Sequence, residues 1–382
     1  MFEELGVFQR LGDATDVVTK EMYDFVDKGG RHIALRPEHT ASVCRAYAQH
    51  RPTPPWKVWY SGSNFRYEKA QAGRFRQFDQ VGIEALGVDD PQLDVEVIAL
   101  GWQFYKELGL TQVELVINSL GDAGDRGRYV EALEKYFREH LDELSEESKA
   151  TLERNPLRVL DSKRSQDAAV VAAAPTIGSF LSESAAAHFE AVRQGLQSLG
   201  VPFIVNERLV RGLDYYRRTT FEYIASSLEN AQNAVGGGGR YDGLVEDLGG
   251  PATPGIGFAL GIDRTLMACD AEKCFDVGAR IADVFIVDTV DGTRATSIAH
   301  NLRSMGYSAD RAYEGRSMKS QMKAADKSGA RVAVIIGESE AQSGQCTVRH
   351  LETSEQTTIP VTDLQQYLQT VVVPRTPRRH PE

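Results

Sequence analysis

Short stretches of apolar and polar alternation dominate the first 118 residues. Lys57 to Tyr60 (KVWY), Ser63 to Tyr67 and Arg74 to Ile83 are rich in aromatic and β-branched residues and broken by glycines, which predicts antiparallel strands. One strong helix is predicted over Asp94 to Glu107, where Val97, Ile98, Gly101, Trp102 and Tyr105 recur at helical spacing. From Gly121 to about Gly200 the period lengthens, and Ala185, Phe189, Val192, Leu196 and Leu199 fall at steps of 4, 3, 4 and 3, as amphipathic helices require. Strand character returns at Pro202 to Asn206, Thr219 to Ala225 and Ala234 to Val235, and Gly255 to Met267 reads as a helix entered through glycines. An α+β sheet domain (1–120 and 201–272) interrupted by a helical insertion (121–200) is the expected organisation.

Asp270 to Arg280 (DAEKCFDVGAR) has no apolar period and predicts a linker. Beyond it, strands at Asp283 to Val287 and Val332 to Ile336 flank helices at Thr293 to Met305 and Ser317 to Lys327, the pattern of a small α/β unit (282–371) with a largely parallel or mixed sheet. The tail 372–382, with Pro374, Pro377 and Pro381, is expected to be disordered.

Composition narrows the class. The 382 residues correspond to two or three domains at roughly 150 residues each. No apolar run approaches the roughly 18 residues that span a bilayer as a helix. The opening MFEELGVFQR has no basic segment before an apolar stretch, so no secretory leader is expected and the cytoplasm is the expected location. Cys44, Cys269, Cys274 and Cys346 include no C-x-x-C pair, and the histidines show no ligand spacing, so neither a disulfide framework nor a fixed metal site is expected. The net charge of −11 means that a nucleic-acid partner has to be met by a local basic patch.

The densest chemistry lies in Phe65-Arg66-Tyr67-Glu68 and the following Arg74-Phe75-Arg76-Gln77-Phe78-Asp79-Gln80-Val81-Gly82-Ile83-Glu84. On strands, Arg66 and Glu68 share one face, and Gln80, Gly82 and Glu84 share another, with Lys69, Gln71, Arg74 and Arg76 carried by the loop between. This run by itself fits either a hairpin with a solvated tip or a polyanion site with an arginine fork beside a carboxylate. Leu35-Arg36-Pro37-Glu38-His39-Thr40 puts a carboxylate two residues from a hydroxyl, suited to an ammonium group, although Thr40 is equally an N-cap candidate. Leu209-Val210-Arg211-Gly212-Leu213-Asp214-Tyr215-Tyr216 joins an arginine to paired phenols, and Gly257-Phe258-Ala259-Leu260-Gly261-Ile262-Asp263-Arg264 brings another arginine. Gly236 to Gly239, before Arg240-Tyr241-Asp242-Gly243, offers a close approach to backbone or a flexible turn.

In this order, LRPE-x-T, FRYE with RFRQFDQVGIE, NPLRVLDSK, LVRGLDYY, GGGRYDGL and GFALGIDR resemble the histidyl-tRNA synthetase family of class II, over nearly the whole chain. The resemblance implies a class II antiparallel-sheet catalytic domain with a helical insertion, followed by a small α/β anticodon-binding domain. It implies ATP-dependent activation of L-histidine to histidyl-adenylate and transfer to the 3′ end of tRNA(His), with ATP and Mg2+ required and a homodimer as the family's assembly. Arg66 and Arg211 would flank the α-phosphate as catalytic residues, Glu68 would meet the adenine region and Arg264 the γ-phosphate. Glu38, Thr40 and Gln80 would hold the α-ammonium group, Glu84 and Tyr216 the two imidazole nitrogens, and Tyr215 would line the pocket. Lys69, Gln71 and Arg74 would face the tRNA acceptor end. In the last domain the run Glu314-Gly315-Arg316-Ser317-Met318-Lys319, with Gln321 and Lys323, is the signature. The alternative is a histidine-binding regulatory paralogue of ATP phosphoribosyltransferase, expected to lack the ATP arginines, the tyrosine pair and the last domain.

Three departures from that pattern carry expectations. Met1 falls after an N-terminal helix and proline-bearing strand that build the family's dimer interface: the chain is a fragment, has a misassigned start or is a shortened variant, and in that last case an exposed sheet edge, weak dimerisation, poor solubility and low activity are expected. His39 stands where glycine is usual, and its ring either crowds the amino-acid pocket or turns to solvent. Asp263 replaces the commoner glutamate before Arg264.

Overall fold

The computed structural model describes residues 1–10, 20–69, 71–210, 212–213, 215–228, 233–275 and 282–372. Two compact units divide the chain, Met1–Phe275 and Asp276–Glu382. In the first, β1 (Phe2–Glu4), β2 (Tyr23–Val26) and β3 (His32–Leu35) form a small antiparallel sheet in the order β1-β3-β2. The main sheet collects β4 (Trp56–Phe65), β5 (Gln77–Leu86), β6 (Val113–Ser119), β7 (Ile204–Val205), β8 (Arg217–Ala225), β9 (Ala234–Arg240) and β10 (Gly255–Gly261) in the order β4-β5-β10-β9-β8-β6-β7. Every neighbouring pair is antiparallel except β6 and β7. Segments far apart in sequence thereby become neighbours at its middle.

The residues Gly255 to Gly261, expected to open a helix, form strand β10, and the helix runs only from Ile262 to Glu272. Three glycines in seven residues disfavour a helix, each by about 1 kcal/mol relative to alanine. They suit a crowded strand instead. A Cβ on Gly257 would strike the Ile83 carbonyl and the Glu84 carboxylate, and one on Gly238 would strike the Gly257 carbonyl. The glycine run 236–239 is part of β9 and not a flexible turn. Lys57–Tyr60 and Ser63–Phe65 belong to one continuous strand, β4.

The helix expected from Asp94 begins at Pro91, because Asp90 accepts the Gln92 amide at 2.8 Å and Pro91 occupies the first helical position. Its buried Val95, Val97, Ile98 and Tyr105 share a core with Val192 and Leu196 of helix Glu183–Ser198. The earlier helices, Ala123–Glu139, Glu146–Leu152 and Ala168–Ala173, close on a separate core that includes Tyr129, Leu133, Phe137 and Ile177. Thus the helical stretch divides, and its last helix packs on the sheet.

A buried ion pair ties these layers to the glycine strand. Arg240, at the end of β9, donates to Asp94 Oδ1 at 2.6 Å from Nη2, and to Asp242 at 3.0 Å from Nη1. His188 Nε2 lies 2.8 Å from the other Asp94 oxygen. Burial pushes the Asp94 pKa upward, but His188 and Arg240 outweigh it and hold the carboxyl below its usual range.

In the second unit, β11 (Val284–Asp288), β12 (Ala309–Arg311), β13 (Val332–Ile336), β14 (Gln345–His350) and β15 (Gln356–Pro360) lie in the order β12-β11-β13-β14-β15. The first three are mutually parallel and the last two join antiparallel, a mixed sheet as expected. Helices Thr293–Ser304 and Leu364–Val371 supply Ile298, Leu302, Leu364 and Leu368 to its core. The expected linker from Asp270 starts later, since Asp270 to Glu272 are still helical, and 276–280 and the tail from 373 lie outside the described residues.

Breaking a buried pair by removing one partner typically costs about 3–5 kcal/mol. Arg240→Met is therefore expected to lower the unfolding free energy of the first unit by about that amount in a urea titration. A midpoint equal to the parent's would show that Asp94 and Arg240 contribute little.

Candidate active site

A cavity of about 500 Å³ opens over β5, β10 and β9. Its wall includes Glu38, His39, Thr40, Tyr60, Arg66, Glu68, Arg74, Gln80, Tyr215, Tyr216, Tyr241 and Arg264, with Gly236 and Gly237 exposing backbone. Of the thirteen residues expected at the site, nine line this one space and Glu84 sits just behind its wall; Lys69 and Gln71 are the exposed exceptions treated below, and Arg211 lies outside the described residues.

Glu38 is 4% exposed and precedes helix Thr40–His50. Its two oxygens accept the Thr40 and Ala41 amides, each at 2.8 Å, so this carboxylate caps the helix and Thr40 is its first residue, not its N-cap. Burial pushes the Glu38 pKa up against those hydrogen bonds. The Tyr215 hydroxyl sits 3.5 Å from Glu38 Oε2.

Glu84 is 1% exposed. Its Oε1 accepts the Thr40 hydroxyl at 2.6 Å and the Tyr60 hydroxyl at 3.2 Å, and its Oε2 accepts the Tyr241 hydroxyl at 2.5 Å. Burial raises its pKa to about 8 although those hydroxyls oppose the rise. Glu84 therefore anchors three side chains that face the cavity, and direct contact with a ligand would require exchange of one of these bonds.

Two arginines are aimed by backbone carbonyls. Arg66 Nε donates to Pro37 at 3.0 Å and its guanidinium lies 5.2 Å from the Phe78 ring centroid. Burial lowers its pKa, opposed by Glu21 and Glu38, and arginine stays cationic at neutral pH. Arg264, in the first turn of helix Ile262–Glu272, donates to Gly73 at 2.7 Å and Ala234 at 2.9 Å. Gly73 has φ +71°, a left-handed turn that favours glycine. Gln80 accepts the Asn64 amide at 2.7 Å.

Arg74, expected to face RNA, lines the cavity and pairs with the Glu68 carboxylate. Lys69 and Gln71 stay exposed on the loop between β4 and β5. His39 turns inward: it is 5% exposed and stacks on Tyr60 at 4.3 Å between centroids and 9° between planes. Burial and then Arg36 bring its pKa down to about 4, so the ring is neutral at pH 7. Asp263 Oδ2 accepts the Asp79 amide at 3.0 Å, joining the helix start to β5.

Tyr60, Tyr241 and Gly257 escaped the sequence reading as site residues. Tyr241 follows the glycines of β9 in the quoted GGGRYDGL run, and two-residue alternation along β4 puts Tyr60 on the face opposite Trp59. Among the described residues no three His, Cys, Asp or Glu side chains gather as a metal cage.

The chain matches the family model described as histidyl-tRNA synthetase over residues 5–265 and the one described as anticodon binding domain over 283–371. It is 46% identical over 377 residues to the histidine–tRNA ligase of Geobacillus kaustophilus, covering 96% of this chain and 88% of that protein. With the Rhodococcus erythropolis histidine–tRNA ligase it shares 49% identity over 368 residues, 94% of this chain and 86% of that one. The apo S. aureus histidyl-tRNA synthetase structure superposes with a TM-score of 0.73 at 38% identity, covering 96% of this chain and 88% of that one. Sheet, cavity and relatives place the protein among the class II aminoacyl-tRNA synthetases. Within that class the chain belongs to the histidyl-tRNA synthetase family.

A carboxyl whose folded pKa is raised to about 8 contributes stability that is full below its unfolded value and lost as pH rises from about 4.5 to 8. Glu84→Gln is expected to remove that slope, so that the parent loses on the order of 3 kcal/mol more than the variant between pH 5 and 8 in denaturant titrations. Parallel slopes would contradict the assignment.

Proposed function

We propose that the protein activates L-histidine with ATP to histidyl-adenylate and transfers the histidyl group to the 3′ end of tRNA(His). The observation that carries this reading is the convergence of Arg66 and Arg264 with Glu38, Thr40 and the phenols of Tyr215, Tyr216 and Tyr241 on one cavity, in a chain of this family. In the first step a histidine carboxylate oxygen bonds to the α-phosphorus while the bond to pyrophosphate breaks, and the electron pair leaves with pyrophosphate. Negative charge grows on the phosphoryl oxygens, and fixed cations stabilise it without reorganising. Arg66 takes the α-phosphate and Arg264 the γ-phosphate, with Arg74 available to the phosphates on release from Glu68, which would meet the adenine. Arg211, from the resemblance, faces Arg66 across the α-phosphate.

The α-ammonium group is received by Glu38, Thr40 and Gln80. Neutral imidazole offers one donor and one acceptor, matched by a carboxyl and a phenol, Glu84 and Tyr216, with Tyr215 and Tyr241 closing the pocket. A ligand lacking either nitrogen leaves a buried group unpaired, which is the strong form of discrimination. Mg2+ fits as an ion borne by the ATP phosphates, since Asp161 and Glu222 line the same cavity and one or two carboxylates plus phosphate oxygens suit this cation. It would neutralise charge on the leaving pyrophosphate. In the second step the terminal ribose hydroxyl of tRNA bonds through its oxygen to the carbonyl carbon, the bond to AMP breaks, and the hydroxyl proton passes to a phosphate oxygen of the departing AMP, with Lys69 and Gln71 on the exposed loop toward the acceptor end. The family's homodimer and a cytoplasmic site of action belong to the same proposal. Among the described residues no helix is long and apolar enough to cross a membrane.

Histidine-dependent ATP–pyrophosphate exchange tests the reading, and silence with normal histidine binding would favour the regulatory paralogue. Arg66→Ala and Arg264→Ala are each expected to reduce exchange by roughly 100-fold or more. Arg211→Ala is expected to depress exchange far more than histidine affinity, and equal losses would overturn its transition-state role. Gly257→Ala, whose methyl would displace Glu84, is expected to raise the KM for histidine more than the KM for ATP in the same assay.

A further inference from the structure

The His39 side chain is buried for a reason other than its hydrogen bonds. Its backbone is fixed at the start of helix Thr40–His50, where the His39 carbonyl accepts the Val43 amide at 3.0 Å, and the side chain takes no part in that cap. The ring is almost fully buried and uncharged at pH 7, and neither of its nitrogens has a partner among the described residues. Buried polar groups are ordinarily hydrogen-bonded, so an imidazole kept in this state contributes through its face.

That face lies on Tyr60, nearly parallel to it. Room for the ring comes from Gly62, two residues along β4 on the same side of the strand, where a Cβ would come within 3.6 Å of His39 Nε2. The hydroxyl end of Tyr60 is fixed by a second contact. Gly82 is its cross-strand neighbour on β5, and a Cβ there would strike the Tyr60 Cζ and hydroxyl. One ring is therefore stacked by His39 and seated over a glycine. The hydroxyl so placed reaches Glu84 at 3.2 Å, the longest of the three bonds to that carboxyl and the one that depends most on how the ring is held.

We propose that His39 is a positioning residue of the amino-acid pocket: its ring holds Tyr60 over Gly82, and Tyr60 holds Glu84 where the substrate imidazole meets it. This rests on the synthetase reading above and deepens it. The nitrogens of His39 take no part, so a plain aromatic ring serves in its place. The effect falls on histidine more than on ATP, because Arg66 and Arg264 are aimed by the Pro37, Gly73 and Ala234 carbonyls, with no contact to Tyr60 among those bonds.

The test uses the full chain, with the histidine Kd from titration calorimetry and the KM values from histidine-dependent pyrophosphate exchange. His39→Ala is expected to raise both the Kd and the KM for histidine about fivefold, the size of one aromatic pair, and to move the KM for ATP by less than about twofold. His39→Phe is expected to recover most of the lost affinity. Tyr60→Phe keeps the ring and removes the hydroxyl; it is expected to weaken histidine binding by itself, and His39→Ala is expected to add little on that background. An unchanged histidine Kd in His39→Ala, a phenylalanine variant as poor as the alanine one, an equal rise in the KM for ATP, or losses from positions 39 and 60 that simply add would each overturn the proposal. If His39→Ala does not fold, the phenylalanine variants at both positions decide. A parent that binds histidine without exchange would overturn the synthetase reading alone, with the affinities still deciding the role of His39, whereas a parent that does not bind histidine would overturn both.

Discussion

Everything at the first unit's centre follows from how closely β5, β10 and β9 approach one another. Gly257 faces Glu84 and Gly238 faces Gly257 with no room for a side chain on either, so the two strands on which these glycines lie present a nearly bare backbone between them. That bare surface is what makes a cavity at the middle of a sheet instead of a packed layer. It also brings the Glu84 carboxyl within reach of hydroxyls from three other elements: Thr40 at a helix start, Tyr60 on β4 and Tyr241 just past β9. A carboxyl buried this deeply is tolerated because three donors satisfy it, and its position then fixes theirs.

The site combines two kinds of support. Carboxylates and phenols are held by one another and by helix-start amides, which gives a pocket whose donors and acceptors are set before a ligand arrives. The arginines are aimed by backbone carbonyls, Arg66 by Pro37 and Arg264 by Gly73 and Ala234. Arg74 differs, since Glu68 neutralises it. This division suits a reaction that binds a small zwitterion tightly and stabilises charge developing on phosphate.

Local patterns made much of this visible in the chain. The aromatic and β-branched runs of β4 and β5, the helical spacing after Asp94 and the small α/β alternation beyond Asp283 are all short-range signals, and each corresponds to an element. What periodicity does not report is register between distant strands. Gly255–Gly261 looks like a helix entry in isolation and becomes a strand because its glycines let β5 and β9 close over it. Local pattern sets the face of Tyr60 and puts Tyr241 in a glycine-led run, but both become site residues only through Glu84, more than twenty residues from the first and more than a hundred from the second. Arg74 reads as a loop cation until Glu68 draws it inward.

The helices between Ala123 and Phe180 close on their own core, and their two ends meet: Ser182 donates to Asp125 Oδ2 at 3.1 Å across 57 residues of chain. To the sheet, that segment is a loop already closed at its base. Loop-closure entropy grows only with the logarithm of length, about 0.6 kcal/mol per doubling. The parts of the segment that touch neither the cavity nor the chain beyond it are therefore free to lengthen or shorten at little cost, while Asp161, which lines the cavity, and Arg158 and Ala172, which bond Gly212 and Arg208, are not. Length change thus has a natural place to be absorbed, between ends that are tied by the Ser182–Asp125 bond and by the bond from Arg128 to the Phe180 carbonyl.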